Sequence, residues 1–219
     1  MRQFVEALEE LQGRLLEMAG LVESAIHLSV RSVAERDEAL AREVLKNEAR
    51  VNHMEIEIDD CAVRLLALYQ PMARDLRFLT AAIKINSDLE RMGDLAVNIV
   101  ERSLSLMRQP AINPLIDMPQ LARLVESMVH RSLDSFVKRD AGLAREVLLS
   151  DDAVDDLRDA IFQELISFMQ ADPSTITRAL DLMSIARNLE RIADHATNIA
   201  EDVLFLVQGV DVRHHAEIQ

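Results

Sequence analysis

Leu89-Glu90-Arg91-Met92-Gly93-Asp94-Leu95-Ala96-Val97-Asn98-Ile99-Val100-Glu101 returns one hundred residues later as Leu189-Glu190-Arg191-Ile192-Ala193-Asp194-His195-Ala196-Thr197-Asn198-Ile199-Ala200-Glu201. Eight of the thirteen positions are identical, including every oxygen-bearing residue of the first copy: Glu, Asp, Asn and Glu at i, i+4, i+8 and i+11. On a helix these four fall within roughly 80° of one another. The chain therefore writes a narrow column of oxygen ligands twice, which makes internal duplication the basis of its architecture.

The repeat extends outward from this phrase. Glu23-Ser24-Ala25-Ile26-His27 matches Glu126-Ser127-Met128-Val129-His130, and Arg36-Asp37 matches Arg139-Asp140, both at an offset of 103. Ala41-Arg42-Glu43-Val44-Leu45 reappears unchanged as Ala144-Arg145-Glu146-Val147-Leu148. The offset then drops to 100, so three residues are missing from the second copy, most simply at its Asp172-Pro173 turn.

The two halves carry the same punctuation. A first helix is predicted from about Gln3 to Ala34, and again from Gln120 to Val137. Asp37 and Asp140 suit the N-cap of a second helix, reaching Tyr69 or Gln170. Pro71 and Pro173 break the chain before a third helix that ends near Met107 or Val207. Val51, Met54, Ile58, Cys61 and Leu65 form an apolar stripe at helical spacing, and Val154, Leu157, Ile161 and Phe168 repeat most of it. Three prolines in Gln109–Pro119 mark the linker. The expected fold is all-α: two tandem three-helix bundles of long antiparallel helices, over 1–109 and 120–219, joined by a linker at 110–119.

Composition narrows the function. A formal net charge of −14 argues against nucleic acid, which calls for a basic footprint. With no Trp and one Tyr the chain also lacks stacking platforms. No apolar run approaches the ~18 residues of a membrane helix, and the acidic start MRQFVEALEELQG does not read as a signal peptide. Cys61 is the single cysteine, expected as a small core residue in a reducing, cytoplasmic setting. Any action at a membrane is expected through a partner at its inner face.

The second helices add further oxygen groups: Glu48 and Asn52, matched by Asp151 and Asp155. Counting back from the turns places residue 48 level with about 93, 52 with 89, 151 with 193 and 155 with 189. Glu48 and Asn52 are thus expected beside Glu90 and Asp94, and Asp151 and Asp155 beside Glu190 and Asp194. Asn98, Glu101, Asn198 and Glu201 continue the columns. Carboxylates at i, i+4 repel, and a bound cation relieves that. Oxygen donors suit magnesium and manganese, and iron and zinc also accept them. On a solvated face, Arg91 would instead pair with Asp94. His27 and His130, each four residues after a glutamate, read as Glu–His pairs along one helix. His195 has Leu95 as its counterpart, so a symmetric site does not need it, and His214 and His215 lie in the tail.

Taken together, the duplicated Leu-Glu-Arg-x-x-Asp phrase, Gln70-Pro71-Met72-Ala73-Arg74-Asp75-Leu76-Arg77, Asp59-Asp60-Cys61-Ala62-Val63-Arg64 and the ending Gly209-Val210-Asp211-Val212-Arg213-His214 resemble the PhoU family of phosphate-signalling regulators. The resemblance covers nearly the whole chain. It implies a pair of three-helix bundles and, as in some family members, multinuclear iron or zinc bound at the acid pattern, here Glu90/Asp94 and Glu190/Asp194 with Glu48/Asn52 and Asp151/Asp155. Asn52 departs from the all-acid pattern, so the first half is expected to bind metal more weakly. The resemblance also implies a negative regulator of phosphate uptake and starvation signalling, linking the ATPase of the phosphate importer to a membrane sensor histidine kinase. Two other readings compete. A carboxylate-bridged di-metal enzyme would call for Glu-x-x-His, which is absent, and no nucleophile–base pair or phosphate loop is visible. A metal-free acidic scaffold would bind a basic partner. No sequence feature sets the oligomeric state; a homodimer is the working expectation.

Overall fold

The computed structural model describes residues 2–112, 117–210 and 212. Among these, seven α-helices occur: α1 (Arg2–Glu35), α2 (Glu38–Tyr69), α3 (Ala73–Met107), α4 (Met118–Lys138), α5 (Ala141–Leu148), α6 (Asp151–Ala171) and α7 (Ile176–Gln208), with a 3-10 turn at Pro173–Thr175. The chain is all-α, and α1–α3 and α4–α7 form the two matching halves. Linker positions 113–116 and the tail histidines His214 and His215 lie outside the described residues.

The predicted caps hold the turns. Asp37 accepts from the Ala39 amide, and Asp140 accepts from those of Gly142 and Leu143, satisfying donors that a helix start leaves without partners. Arg36 and Arg139 turn left-handed just before them, each with φ 53°. Arg36 also reaches back across its half. Its Nη2 donates to the Leu106 and Gln109 carbonyls at 2.8 and 2.7 Å, so one arginine closes both the α1 turn and the end of α3.

The second helix of the second half is not continuous as expected. It opens at Leu149–Ser150, where ψ relaxes to −12° and −11°. No Gly or Pro marks the spot. Local side-chain chemistry stabilises the opening instead: Ser150 Oγ donates to the Glu146 carbonyl and accepts from Arg131 Nη2, competing with the helix ladder. The break places Asp151 and Asp152 in the first turn of α6, where the helix dipole favours negative charge.

Helices α3 and α7 are the structural centre. Each buries fifteen residues, against seven for α2, which is nearly as long. Small residues, Ala82, Gly93 and Ala96 on α3 and Ala186, Ala193, Ala196 and Ala200 on α7, are among those buried. The two helices run antiparallel. Lys84 meets Asp202 at 2.7 Å, Asp88 meets His195 at 2.8 Å, and Ser105 meets Asp181 at 2.8 Å, so numbers rise along one helix as they fall along the other. Repeat-equivalent positions 93 and 193 therefore lie near the same level, and the halves are related by a pseudo-two-fold axis.

The same relation governs α1 and α4. His27 Nδ1 lies 2.9 Å from Glu126 and His130 Nδ1 lies 2.8 Å from Glu23. The expected pairs within one helix are thus replaced by crossed pairs between halves. No described helix is long and apolar enough to cross a membrane.

Leu89 is fully buried in α3, whereas Ile56 on α2 is 64 % exposed. Leu89→Ala should lower unfolding free energy by about 2–5 kcal/mol, and Ile56→Ala by less than about 0.5 kcal/mol. Urea denaturation of both variants checks this; equal losses would contradict the packing described.

Candidate functional site

The acid columns of α3 and α7 flank the centre of the molecule, one facing α2 and the other α6. Their backs are apolar: Leu89, Met92 and Ile99 on α3 and Leu189, Ile192 and Ile199 on α7 are buried. Core packing thereby sets the rotation of each helix and turns the acids into the groove beside it.

Helix register differs from the turn count by about three residues. A Cβ on Gly93 would stand 3.4 Å from Val51 Cγ1, where counting sets residue 48 opposite 93. Asn86 Nδ2 donates to the Glu55 carbonyl and to Asp59 Oδ1, both at 2.9 Å, which sets residue 86 level with the helical turn between them. A count that pivots on the turn ignores how far Gln70–Met72 carry the chain along the bundle axis. Glu48 and Asn52 line a small cleft with Val51, Gly93 and Val97, and neither Glu90 nor Asp94 is among the residues lining it.

In the first half Glu90 is half-buried and its carboxyl is held above the usual range. Burial is the main cause, followed by the charge of Asp94, with Glu55 adding to it and Arg91 opposing. Arg91 Nε stands 3.6 Å from Glu90, not on Asp94 as a solvated face would have it. Glu55 is a member that sequence reading missed. The signal was present, since it lies three residues beyond Asn52, but only the observed register brings it opposite Glu90.

The second half is more crowded. Asp194 is pushed up to about 6, by burial first and then by Glu190, Asp151 and Asp155. Asp151 is also raised, by burial and by Asp155, Asp152 and Glu190. Asp151, Asp155, Glu190 and Asp194 thus share one groove. Arg158, also missed, enters it from α6: Nη2 lies 3.1 Å from Asp155 Oδ1 and Nη1 lies 3.8 Å from Glu190 Oε1.

The ends of the columns do other work or open to solvent. Asn198 donates to Asp88 on α3 at 3.2 Å, beside the His195 contact, and so serves the junction of the halves. Asn98 and Glu101 are exposed, and Glu201 is half-buried. Cys61 is half-buried and its thiol is raised by desolvation, which leaves it a packing residue. Among the described residues, no three His, Cys, Asp or Glu side chains converge closely enough to hold a metal ion as they stand. The grooves are open arrays of oxygen donors.

Two segments of the chain, residues 15–103 and 118–203, match the PhoU domain. The chain belongs to the PhoU family. It is 39% identical over 214 residues to a Phosphate-specific transport system accessory protein PhoU homolog of Pseudomonas aeruginosa, covering 97% of this chain and 88% of that protein. A homolog of the same description from Aquifex aeolicus is 40% identical over 214 residues, covering 98% and 96%. The crystal structure of PhoU from Pseudomonas aeruginosa superposes with a TM-score of 0.92 at 38% identity, covering 94% of this chain and all of that one. The Streptococcus pneumoniae phosphate transport system regulatory protein PhoU gives 0.87 at 30% identity, covering 95% and 99%. PhoU proteins are accessory and regulatory proteins, not enzymes.

The raised Asp194 carboxyl has a consequence for stability. The folded chain binds its proton more tightly than the unfolded chain, so stability falls as pH rises. The penalty is absent below the ordinary value near 4, grows through the interval, and is complete above about 6. In the presence of a chelator, Asp194→Asn should raise stability near pH 7.5 by about 1 kcal/mol, solvent screening included. It should leave stability near pH 4 unchanged. Equal gains at both pH values in urea titrations would contradict this.

Proposed function

We propose that this chain is a negative regulator of phosphate uptake and phosphate-starvation signalling, acting as a metal-binding adaptor. Its role in the phosphate transport system is supported by whole-length similarity to PhoU accessory proteins. The observation that carries the metal reading is the set of carboxyls drawn into each groove and raised first by burial and then by one another's charge. An all-oxygen donor set of this kind fits magnesium, manganese, iron or zinc. Glu55, Glu90 and Asp94, with Glu48 and Asn52 close by, would hold it in one half. Asp151, Asp155, Glu190 and Asp194 would do so in the other. A bound ion would supply neutralising charge and lock α2 to α3 or α6 to α7, and it would have to draw the carboxylates together, since among the described residues no three of them converge on one point as they stand.

The adaptor's partners, on this reading, are the ATPase of the phosphate importer and a membrane sensor histidine kinase. The protein works in the cytoplasm at the inner face of the membrane, as a monomer or homodimer. The open form of the grooves also favours a second reading, a metal-free acidic surface that recognises a basic partner. Such binding would ignore chelators and weaken sharply with salt.

Elemental analysis of the purified chain beside an Asp94→Ala/Asp194→Ala variant separates the two. Stoichiometric metal that falls in the variant is expected. Absence of metal from both, even after reconstitution, would leave the acidic surface alone. In cells, deleting the gene should derepress phosphate-starvation genes in phosphate-rich medium. An unchanged response would count against the regulatory role.

A further inference from the structure

Glu55 and Arg158 occupy equivalent places in the two halves and carry opposite charge. They are 103 residues apart, the offset of the second helices, and each stands by the column glutamate of its own half. Arg158 is built into its groove. Besides Asp155 and Glu190, it pairs with Asp159, its Nε lying 3.1 Å from Oδ1 without hydrogen-bond alignment, and its guanidinium lies 5.8 Å from the centre of the Phe162 ring. The side chain is only 23 % exposed. Arg187 likewise lies 5.8 Å from the centre of the Phe162 ring. The first half has none of this. Position 59, equivalent to Phe162, is an aspartate bonded to Asn86. The cation nearest Glu90 is Arg91, at the rim with 64 % of its side chain exposed.

We propose that Arg158 is a resident counter-ion that takes the place of a metal ion in the second groove, leaving the first as the cation-binding groove. This rests on the metal reading above. A divalent ion entering the second groove must share Asp155 and Glu190 with a fixed positive charge or displace it from its ring and carboxylate contacts. In the first groove Glu55 adds a carboxylate at that same point and makes up for the neutral Asn52. The order of affinities is therefore the reverse of that drawn from Asn52 alone. Binding in the second groove should be roughly tenfold to hundredfold weaker, the range by which groups next to metal ligands tune affinity.

The full-length chain, stripped with chelator, is titrated separately with Mn²⁺, Zn²⁺ and, without oxygen, Fe²⁺ by calorimetry and equilibrium dialysis. Wild type should show one tight set of sites, abolished by Asp94→Ala and kept in Asp194→Ala. Arg158→Glu should add a second tight set, which a further Asp194→Ala change removes. Glu55→Arg should weaken the first. If Arg158→Glu does not fold, Arg158→Gln keeps the bulk without the charge and should tighten the second groove about tenfold. Equal loading of both grooves in wild type, with Asp94→Ala and Asp194→Ala each removing half, would overturn this inference and leave the metal reading standing. No binding by any variant would overturn both.

Discussion

Packing of α3 against α7 is the contact on which the rest of the molecule depends. A three-helix half cannot cover every face of its third helix, and the other half supplies the missing surface. Alanines are buried along both helices, and their small side chains allow close approach. Polar pairs then fix direction and register. Lys84 with Asp202, Arg102 and Ser105 with Asp181, and Asp88 with His195 answer one another only when the helices run antiparallel. Asp181 and Asp202 are buried. A displaced register would separate such carboxylates from these cationic partners, which is costly in a dry interface.

This central pair also aims the grooves. Because each third helix is gripped on its apolar side by the core, its acids have one place to go, the crease shared with the second helix. Burial there, and then the crowding of like charges, raises Glu90, Asp151 and Asp194 together. Free carboxylates on an open helix face would separate and ionise normally. Here the backbone holds them near one another, and charge of the opposite sign has to come from elsewhere, whether from solution or from an arginine in the same crease.

Much of this was legible in one dimension. The duplicated phrase, Asp37 and Asp140 at the caps, and the prolines before the third helices mark helix ends through local chemistry, and local chemistry is what sequence spells out. Column membership of Glu90, Asp94, Glu190 and Asp194 was legible too, because helical geometry alone lines them up. Glu55 and Arg158 were not, since joining the column depends on the axial offset between two helices. The opening at Leu149–Ser150 carries no Gly or Pro and depends on Arg131 of a different helix. The crossed His27–Glu126 and His130–Glu23 pairs fit a repeat within each helix just as well until the halves are placed together.

Those crossed pairs, with the antiparallel α3 and α7, have the form of an isologous dimer interface written into a single chain, where each patch meets its own likeness turned around. In a dimer of identical subunits every substitution is made twice, and both grooves must change together. Covalent joining lifts that restriction. One groove could exchange its glutamate for an arginine while the other kept its carboxylate, so one body now presents two different faces on either side of an inherited axis.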